Sequence, residues 1–223
     1  DPVSAGTFRR DLQKIAPVLV SEVNVLVSGW LPAERLRGGF RPKQVNDPIW
    51  GTVELLPWEV ALLDTPLLQR MRGVKQLGLA SLVFPSASHD RLEHQLGVVG
   101  ATEKMILALS QQIERWNRDN DTRALLAISK RDRYALRLAA LLHDIGHGPF
   151  SHALEPVLDA ESVLVTEKIS TSGPDWRQEL VAVQTEFKRR YQLNKVPAPS
   201  EILSALMIMS DALVAVLGSD AVF

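Results

Sequence analysis

The sequence contains no cysteine among its 223 residues. This absence excludes disulfide bonds, thiolate zinc sites and thiol nucleophiles together. A chain without cysteine suits a reducing compartment, and we therefore expect a cytoplasmic location. The N-terminal Asp1-Pro2-Val3 has neither an initiating methionine nor a signal-peptide pattern, so we expect a fragment or a chain trimmed at its start.

A strong net charge and a long apolar run are also missing. The 25 lysines and arginines nearly cancel the 26 aspartates and glutamates, which leaves a formal net charge of −1. No global field then favours nucleic acid or an anionic membrane, and any anion site must be local. The most apolar stretch, residues 202–223, is broken by serines and aspartates. It falls short of the roughly 18 apolar residues of a membrane span, so we predict a core helix and no membrane partner.

Apolar periodicity and chain breakers predict an all-α fold, a helical bundle with minor β elements. We expect a kink or interruption at Pro17, where the missing N–H weakens a helix. A short strand is predicted at 52–55. The chain is divided into an N-terminal helix and basic loop, residues 1–45, and a core of residues 46–223. The predicted helices cover residues 8–28, 65–77, 88–116, 131–145 and 176–191.

All five histidines lie between His89 and His152, in two short segments. Imidazole is the commonest neutral metal ligand and a general acid–base group at physiological pH. In the first segment Arg91 and His94 are three residues apart on a predicted helix and share a face. In the second, His143-Asp144 stands where an apolar helix ends, and an adjacent His-Asp pair can offer a nitrogen and an oxygen to one ion.

One histidine from the first helix and a His-Asp pair from the second predict a mixed nitrogen and oxygen metal site. Such ligands suit Fe, Mn, Co, Ni or Zn better than Ca. Three protein ligands leave positions for water and a substrate oxygen, as catalytic sites require. The alternative is structural, because a buried histidine hydrogen-bonded to a carboxylate more often stabilises a fold than catalyses a reaction. The presence of every histidine in these two segments favours the site.

The residues after Asp144 extend this candidate site. Two glycines at 146 and 148 allow a sharp turn that brings His147 and His152 back toward the ion. Glu155 lies three residues after His152, close enough to orient its imidazole. Ser151 is predicted to cap a following helix.

The pattern of His94 followed by His143-Asp144 resembles the HD-domain metal-dependent phosphohydrolases. A longer ordered series, within residues 46–155, is similar to the dNTP triphosphohydrolases, the family of bacterial dGTPases and the sterile-alpha-motif/HD-domain enzyme of animals. The matching motifs are Asn46-Asp47-Pro48-Ile49, Asp64-Thr65-Pro66, Gln69-Arg70-Met71-Arg72, Lys75-Gln76-Leu77-Gly78, Val83-Phe84-Pro85, Ala87-Ser88-His89, residues 91–98 and residues 142–152.

The resemblance implies hydrolysis of a dNTP to the deoxynucleoside and inorganic triphosphate with one divalent metal: Mn, Fe, Zn, Co, Ni or Mg. It makes Arg91 the α-phosphate contact, and Gln76 with Leu77 the sugar contact that excludes a ribose 2′-hydroxyl. It also implies a homo-oligomer. The implied metal ligands are His94, His143 and Asp144. The implied acid–base and phosphate-contacting groups are His147, His152 and an acidic partner, Glu155.

A regulatory nucleotide site is also implied, because Asp64, Gln69 and Arg72 match positions that bind an activating guanine nucleotide in relatives. The alternative is a solvated polar helix face. Trp50 replaces a residue that is often histidine in the animal enzyme, which weakens the match.

The sequence departs from the family in its second half. The downstream D-x-x-D-Y-x-x-R-D stretch that supplies the fourth ligand is absent, and no histidine follows His152. Asp211 is the best candidate for the fourth ligand, with a surface or partner-facing aspartate as the alternative. Two other functions stay open: an HD phosphodiesterase or phosphatase acting on another nucleotide, and a catalytically reduced nucleotide-sensing module. The basic loop, with Arg35, Arg37, Arg41 and Lys43, could contact nucleic acid, but a solvated loop fits the neutral overall charge better.

Overall fold

The computed structural model describes residues 5–31, 39–120, 124–155 and 176–218. These residues are mainly helical with one two-stranded sheet, so the predicted all-α fold with minor β elements is confirmed. The helices and strands are α1 (Ala5–Ile15), α2 (Pro17–Trp30), β1 (Lys43–Asp47), β2 (Gly51–Leu55), α3 (Pro57–Leu63), α4 (Pro66–Gln69), α5 (Arg91–Asp119), α6 (Lys130–Leu142), α7 (Trp176–Tyr191), α8 (Pro199–Ile208) and α9 (Asp211–Leu217).

The N-terminal helices join the same core as the later helices. The chain breaks between α1 and α2 at Pro17, as predicted, because proline suits the first turn of a helix but not its interior. The Glu179 carboxylate of α7 accepts hydrogen bonds from the backbone N–H groups of Val18 and Leu19, at 3.3 and 2.7 Å. This contact satisfies free donors at the start of α2. The core therefore extends across the predicted boundary at residue 45.

The sheet is an antiparallel hairpin in which Val45 faces Val53. The strand predicted at 52–55 is confirmed as β2, whereas its partner β1 was not predicted. Lys43, assigned from sequence to the basic loop, begins β1. Arg35 and Arg37 of that loop lie outside the described residues.

The predicted helix 65–77 is shorter than expected. Helix α4 ends at Gln69 and continues only as a 3₁₀ turn, Arg70–Gly73. The next residues pair with the segment before α5: the Arg91 N–H donates to the Val74 carbonyl at 2.8 Å and the Gln76 N–H donates to the His89 carbonyl at 3.1 Å. These tertiary hydrogen bonds satisfy backbone groups that a longer helix would have used itself.

Helices α5 and α6 pack against each other and carry the two histidine segments at adjacent ends. The Asp90 carboxylate caps α5 by accepting from the Glu93 N–H at 2.9 Å. A fully buried ion pair between Glu59 and Arg137, 2.7 Å long, ties α6 to α3. This ion pair fixes α6, which ends directly before His143 and Asp144, to the body of the domain.

The apolar stretch predicted as one core helix forms two helices, α8 and α9, bent by 55°. Within the described residues no single helix is long and apolar enough to cross a membrane, and this bent pair alone meets the criteria of length and composition. Its apolar side chains include the buried Ile202, Leu206 and Leu213 of the core.

Candidate metal centre and active site

His94, His143 and Asp144 come together although 48 residues separate the two histidine segments. One ligand atom from each of the three lies within 4.8 Å of the others. The Nε2 atom of His94 is 3.8 Å from Asp144 Oδ2, and that of His143 is 3.4 Å from Asp144 Oδ1. The first turn of α5 and the end of α6 therefore present two imidazoles and one carboxylate to a common point.

The two imidazoles are prepared to bind a cation. His143 Nδ1 lies 2.9 Å from the Ala140 carbonyl, which can only accept a hydrogen bond. That nitrogen therefore carries the proton, and Nε2 is free to coordinate. Burial lowers the pKa of His94, against the opposing effect of the Asp144 charge. The neutral imidazole thus predominates at neutral pH, and this donor set fits a divalent transition metal.

Asp144 is kept ionised by its neighbours. Burial alone would raise the pKa of its carboxyl group, but the His147 hydrogen bond and the charges of His143 and Arg91 hold that pKa well below its usual range. Its Oδ1 atom lies 3.5 Å from His147 Nε2, while its Oδ2 atom accepts from Arg91. The carboxylate therefore joins the metal-ligand group to the second histidine cluster.

Arg91, expected from the resemblance to contact an α-phosphate, is 1% exposed. One of its terminal nitrogens donates to Asp144 and the other donates to the Ser151 hydroxyl. Its Nε–H has no hydrogen-bond partner within the described part of the chain. The guanidinium therefore orients the metal-ligand carboxylate in this structure.

The second cluster contains His147, His152 and Glu155, whose ligand atoms also lie within 4.8 Å of one another. His152 Nδ1 is 2.9 Å from Glu155 Oε1, which also accepts from the Ser200 hydroxyl of α8. The centroids of the His147 and His152 rings are 4.7 Å apart. His147 is buried, whereas the His152 side chain is 64% exposed. The cluster therefore pairs one interior histidine with one open to solvent.

Gly146 allows the close approach of α8 to this turn. A Cβ atom at this position would lie 2.3 Å from both the Ser200 carbonyl oxygen and the Ser204 nitrogen. The Gly146 N–H donates to the Ser204 hydroxyl at 2.8 Å. The sequence predicted the turn, but the reason for this glycine is the contact with α8.

The predicted sugar-contact residues lie beside the histidine loop. The Gln76 carbonyl accepts from the Ser151 hydroxyl at 3.3 Å, and the Leu77 side chain is 53% exposed. Gly78 has a φ of 55°, and a Cβ atom there would lie 2.9 Å from the Phe150 carbonyl oxygen. The segment 76–78 and the loop carrying His147 and His152 are therefore in backbone contact.

The three residues predicted to bind a regulatory nucleotide lie on or next to α4. The Asp64 carboxylate forms an ion pair of 2.9 Å with Lys43. Gln69 donates to the Leu63 carbonyl at 2.7 Å and accepts from Arg72 at 2.9 Å. The structure thus brings these polar groups near one another, already linked to protein partners.

Asp211, the predicted fourth ligand, is not brought to the metal-ligand group. Its carboxylate forms an ion pair with Arg9 of α1, and its side chain is 68% exposed. Its backbone N–H donates to the Asn24 side chain at 2.8 Å. Asp211 instead links the start of α9 to the N-terminal helices.

Two residues near the site make contacts that the sequence did not anticipate. Arg70, grouped there with polar neighbours, donates to the His147 carbonyl at 3.0 Å and lies 4.7 Å over the Trp30 ring. Burial lowers its pKa to about 10. Ser151 is not a helix cap, contrary to prediction, because its hydroxyl contacts Arg91 and Gln76 instead. No local pattern reveals these contacts, which join residues 40 or more positions apart.

Comparison with known proteins identifies the class. The HD domain family model matches residues 91–212, more than half of the chain, and the chain therefore belongs to the HD domain family.

The relatives agree with the resemblance inferred from sequence. The chain is 37% identical over 156 residues to the deoxynucleoside triphosphate triphosphohydrolase SAMHD1 of Danio rerio, a match that covers 70% of this chain and 22% of that protein. It is 44% identical over 113 residues to the human protein of that name, covering 51% and 16%. A SAMHD1 homolog of Dictyostelium discoideum is 41% identical over 117 residues, covering 52% and 21%. The matches therefore span about a fifth of the length of these curated relatives.

Proposed function

We propose that this protein is a metal-dependent dNTP triphosphohydrolase, which releases the deoxynucleoside and inorganic triphosphate. The observation that carries the proposal is the junction at Asp144, where two imidazoles and a carboxylate adjoin the His147, His152 and Glu155 cluster. The relatives described above support this substrate, because they are named deoxynucleoside triphosphate triphosphohydrolases.

The metal-ligand role falls to the Nε2 atoms of His94 and His143 and to the Asp144 carboxylate. One divalent cation would occupy this group, and Mn, Fe, Zn, Co, Ni and Mg are the candidates, with manganese the first to test. When bound, such a cation polarises a phosphoryl oxygen and lowers the pKa of a water. Arg91 holds the Asp144 carboxylate and adds positive charge where charge develops on an α-phosphate.

Proton transfer falls to the second cluster. Glu155 accepts from His152 Nδ1, so the Nε2 atom of that exposed imidazole is free to exchange a proton with substrate. His147 lies deeper, beside Asp144, and is the alternative proton donor to the leaving 5′-oxygen. We assign sugar contact to the Gln76–Leu77 segment, because Leu77 stands exposed next to the loop that carries both histidines.

A product assay tests the proposal. The purified protein is stripped of metal, reloaded with Mn²⁺, Fe²⁺ or Mg²⁺, and supplied with each dNTP in turn, and the released phosphates are resolved by ion chromatography. Inorganic triphosphate from a dNTP is the expected product. Orthophosphate or a linear dinucleotide would replace the proposal with a phosphatase or phosphodiesterase, and nucleotide binding without turnover would indicate a sensing module.

Three finer features complete the proposal. The protein acts in the cytoplasm as a homo-oligomer, with dGTP as the first substrate to test. Asp64, Gln69 and Arg72 form a site for an activating nucleotide; the support is their proximity around α4. Addition of GTP to the dNTP assay and light scattering with and without nucleotide test these features.

A further inference from the structure

We propose that Ser151 is a positioning residue for the nucleotide sugar, because its hydroxyl sets the Gln76–Leu77 segment against Arg91. This inference rests on the proposed function and adds the residue that aligns the sugar contact with the phosphate contact. Among the described residues, the hydrogen bonds of the Ser151 hydroxyl go to Arg91 and to the Gln76 carbonyl, and not to a metal ligand or to the side chains of the proton-transfer pair.

The backbone of Ser151 is strained. Its φ of 53° lies in the left-handed region, which non-glycine residues seldom adopt and which a serine occupies only when the surrounding structure holds it there. The Ser151 N–H donates to the Gly148 carbonyl at 3.0 Å, which closes the turn. This left-handed backbone conformation accompanies a buried side chain, since the residue is only 4% exposed.

The hydroxyl adds a side-chain link between the Arg91 guanidinium and the Gln76 carbonyl, whose segments are already joined by the backbone hydrogen bonds from Arg91 to Val74 and from Gln76 to His89. It accepts a hydrogen bond from Arg91 and donates its single proton to the Gln76 carbonyl at 3.3 Å. A serine hydroxyl can donate one hydrogen bond and can also accept, so these two contacts use the hydroxyl both as a donor and as an acceptor. Ser151 is therefore the side chain that joins the predicted phosphate contact to the predicted sugar contact.

The neighbouring backbone leaves little freedom around this link. Gly78 packs closely against the backbone of Phe150: a Cβ atom at position 78 would lie 2.9 Å from the Phe150 carbonyl oxygen. Leu77 lies between Gln76 and Gly78, the two residues that meet the histidine loop, and it is half-exposed. The position of its backbone therefore determines where its side chain meets a ligand. A shift of the Gln76 carbonyl would move Leu77 relative to Arg91.

Loss of the hydroxyl is expected to affect sugar recognition and to spare the metal-ligand group. Arg91 makes its ion pair with Asp144 through a different terminal nitrogen from the one that meets Ser151, so we expect the carboxylate to stay oriented when Ser151 is shortened. The Gln76–Leu77 segment, in contrast, loses its only side-chain hydrogen bond to the histidine loop among the described residues.

Two variants separate the hydroxyl from the strain. Ser151→Ala removes the hydroxyl and keeps the backbone cost, whereas Ser151→Gly removes the hydroxyl and relieves that cost. Ser28→Ala is the matched control, because Ser28 is exposed on α2 and its hydroxyl donates to the nearby Val25 carbonyl. For each protein kcat and KM are measured with a dNTP and with the matching rNTP, and bound metal is measured by mass spectrometry.

Both Ser151 variants are expected to raise KM for the dNTP by roughly three- to tenfold, the effect of one hydrogen bond, and to lower the dNTP/rNTP preference in kcat/KM. Metal content should be unchanged. The inference is overturned if Ser151→Gly behaves as wild type, if the preference is unchanged, or if metal is lost.

A binding measurement distinguishes this inference from the proposed function. If the wild-type protein hydrolyses no dNTP, the proposed function fails, and calorimetry with a non-hydrolysable dNTP analogue tests Ser151 alone. Three- to tenfold weaker binding by both variants then supports the positioning role. Equal binding by wild type and variants, or no binding by the wild type, overturns it.

Discussion

The guanidinium of Arg91 and the carboxylate of Asp144 form a buried ion pair between the start of α5 and the turn after α6. Asp144 also lies within 4 Å of His94, His143 and His147. This ion pair therefore positions a carboxylate that both histidine clusters share. A buried pair of this kind is valuable for orientation more than for stability.

Substitution of His94 tests the metal centre. His94→Ala removes one of the three convergent ligands. Loss of a residue that only supports a ligand lowers metal affinity by roughly 10- to 100-fold, so loss of the ligand itself should lower it by more than roughly 100-fold. His89→Ala is the matched control, because His89 lies in the same segment, is exposed and is outside the cluster. Metal content after dialysis is the measurement, and full metal retention by His94→Ala would exclude it as a ligand.

Substitution of Arg70 tests the support of His147. Arg70→Met removes the donor to the His147 carbonyl and also removes a desolvated charge that has no ion-pair partner among the described residues. Because an apolar side chain of similar length can replace a buried charge at little cost, stability should change by less than about 1 kcal/mol. Turnover of dNTP should fall roughly tenfold, whereas the exposed control Arg115→Met keeps wild-type turnover. Urea unfolding and triphosphate release measure the two effects, and unchanged turnover in Arg70→Met would contradict the role.

Substitution of Gly146 tests the close contact with α8. Gly146→Ala forces a Cβ atom to within 2.3 Å of two backbone atoms of α8, and overpacking of this severity should cost about 3 kcal/mol of unfolding free energy. Gly29→Ala, with no atom within 4 Å of the new Cβ, should be neutral or stabilising by up to about 1 kcal/mol. Chemical denaturation of both variants is the measurement, and equal stability would show that α8 moves away without cost.

The pH dependence of stability tests the Glu103 network. Burial would raise the pKa of Glu103, but hydrogen bonds from Arg133 and Arg137 hold it below its usual range. A carboxyl whose pKa is lower in the folded state stabilises the fold above its unfolded pKa of about 4.3, and this contribution disappears as pH falls through the folded pKa. Glu103→Gln should therefore cost about 1 kcal/mol at pH 7.

The difference between wild type and Glu103→Gln should stay constant from pH 8 to about 5 and shrink below about 4.3. Glu114→Gln, an exposed position on the same helix, should change stability by less than about 0.5 kcal/mol throughout. Urea unfolding at several pH values measures both. A Glu103→Gln penalty that does not shrink at all as the pH falls below about 4.3 would show that the ionised carboxylate is not its source.

Local sequence signals anticipated the elements whose cause is local. Helices α5 and α6, the break at Pro17 and strand β2 follow from periodicity, capping residues and breakers. Strand β1 was missed because its pairing with β2 is not encoded in its own alternation. The helix predicted to reach Leu77 stops early because residues 74–76 bond to the chain before α5.

The residue types and their spacing determined by themselves that any metal site must use histidine and carboxylate, and that His94 and His143-Asp144 are its candidates. Only the tertiary structure decided the rest: the grip of Arg91 on Asp144, the strained Ser151, the approach of α8 to Gly146 and the pairing of Asp211 with Arg9. The physical reason is range. Helix formation and capping depend on neighbours within a few residues, whereas the packing of the apolar core sets which distant polar groups come within hydrogen-bond distance.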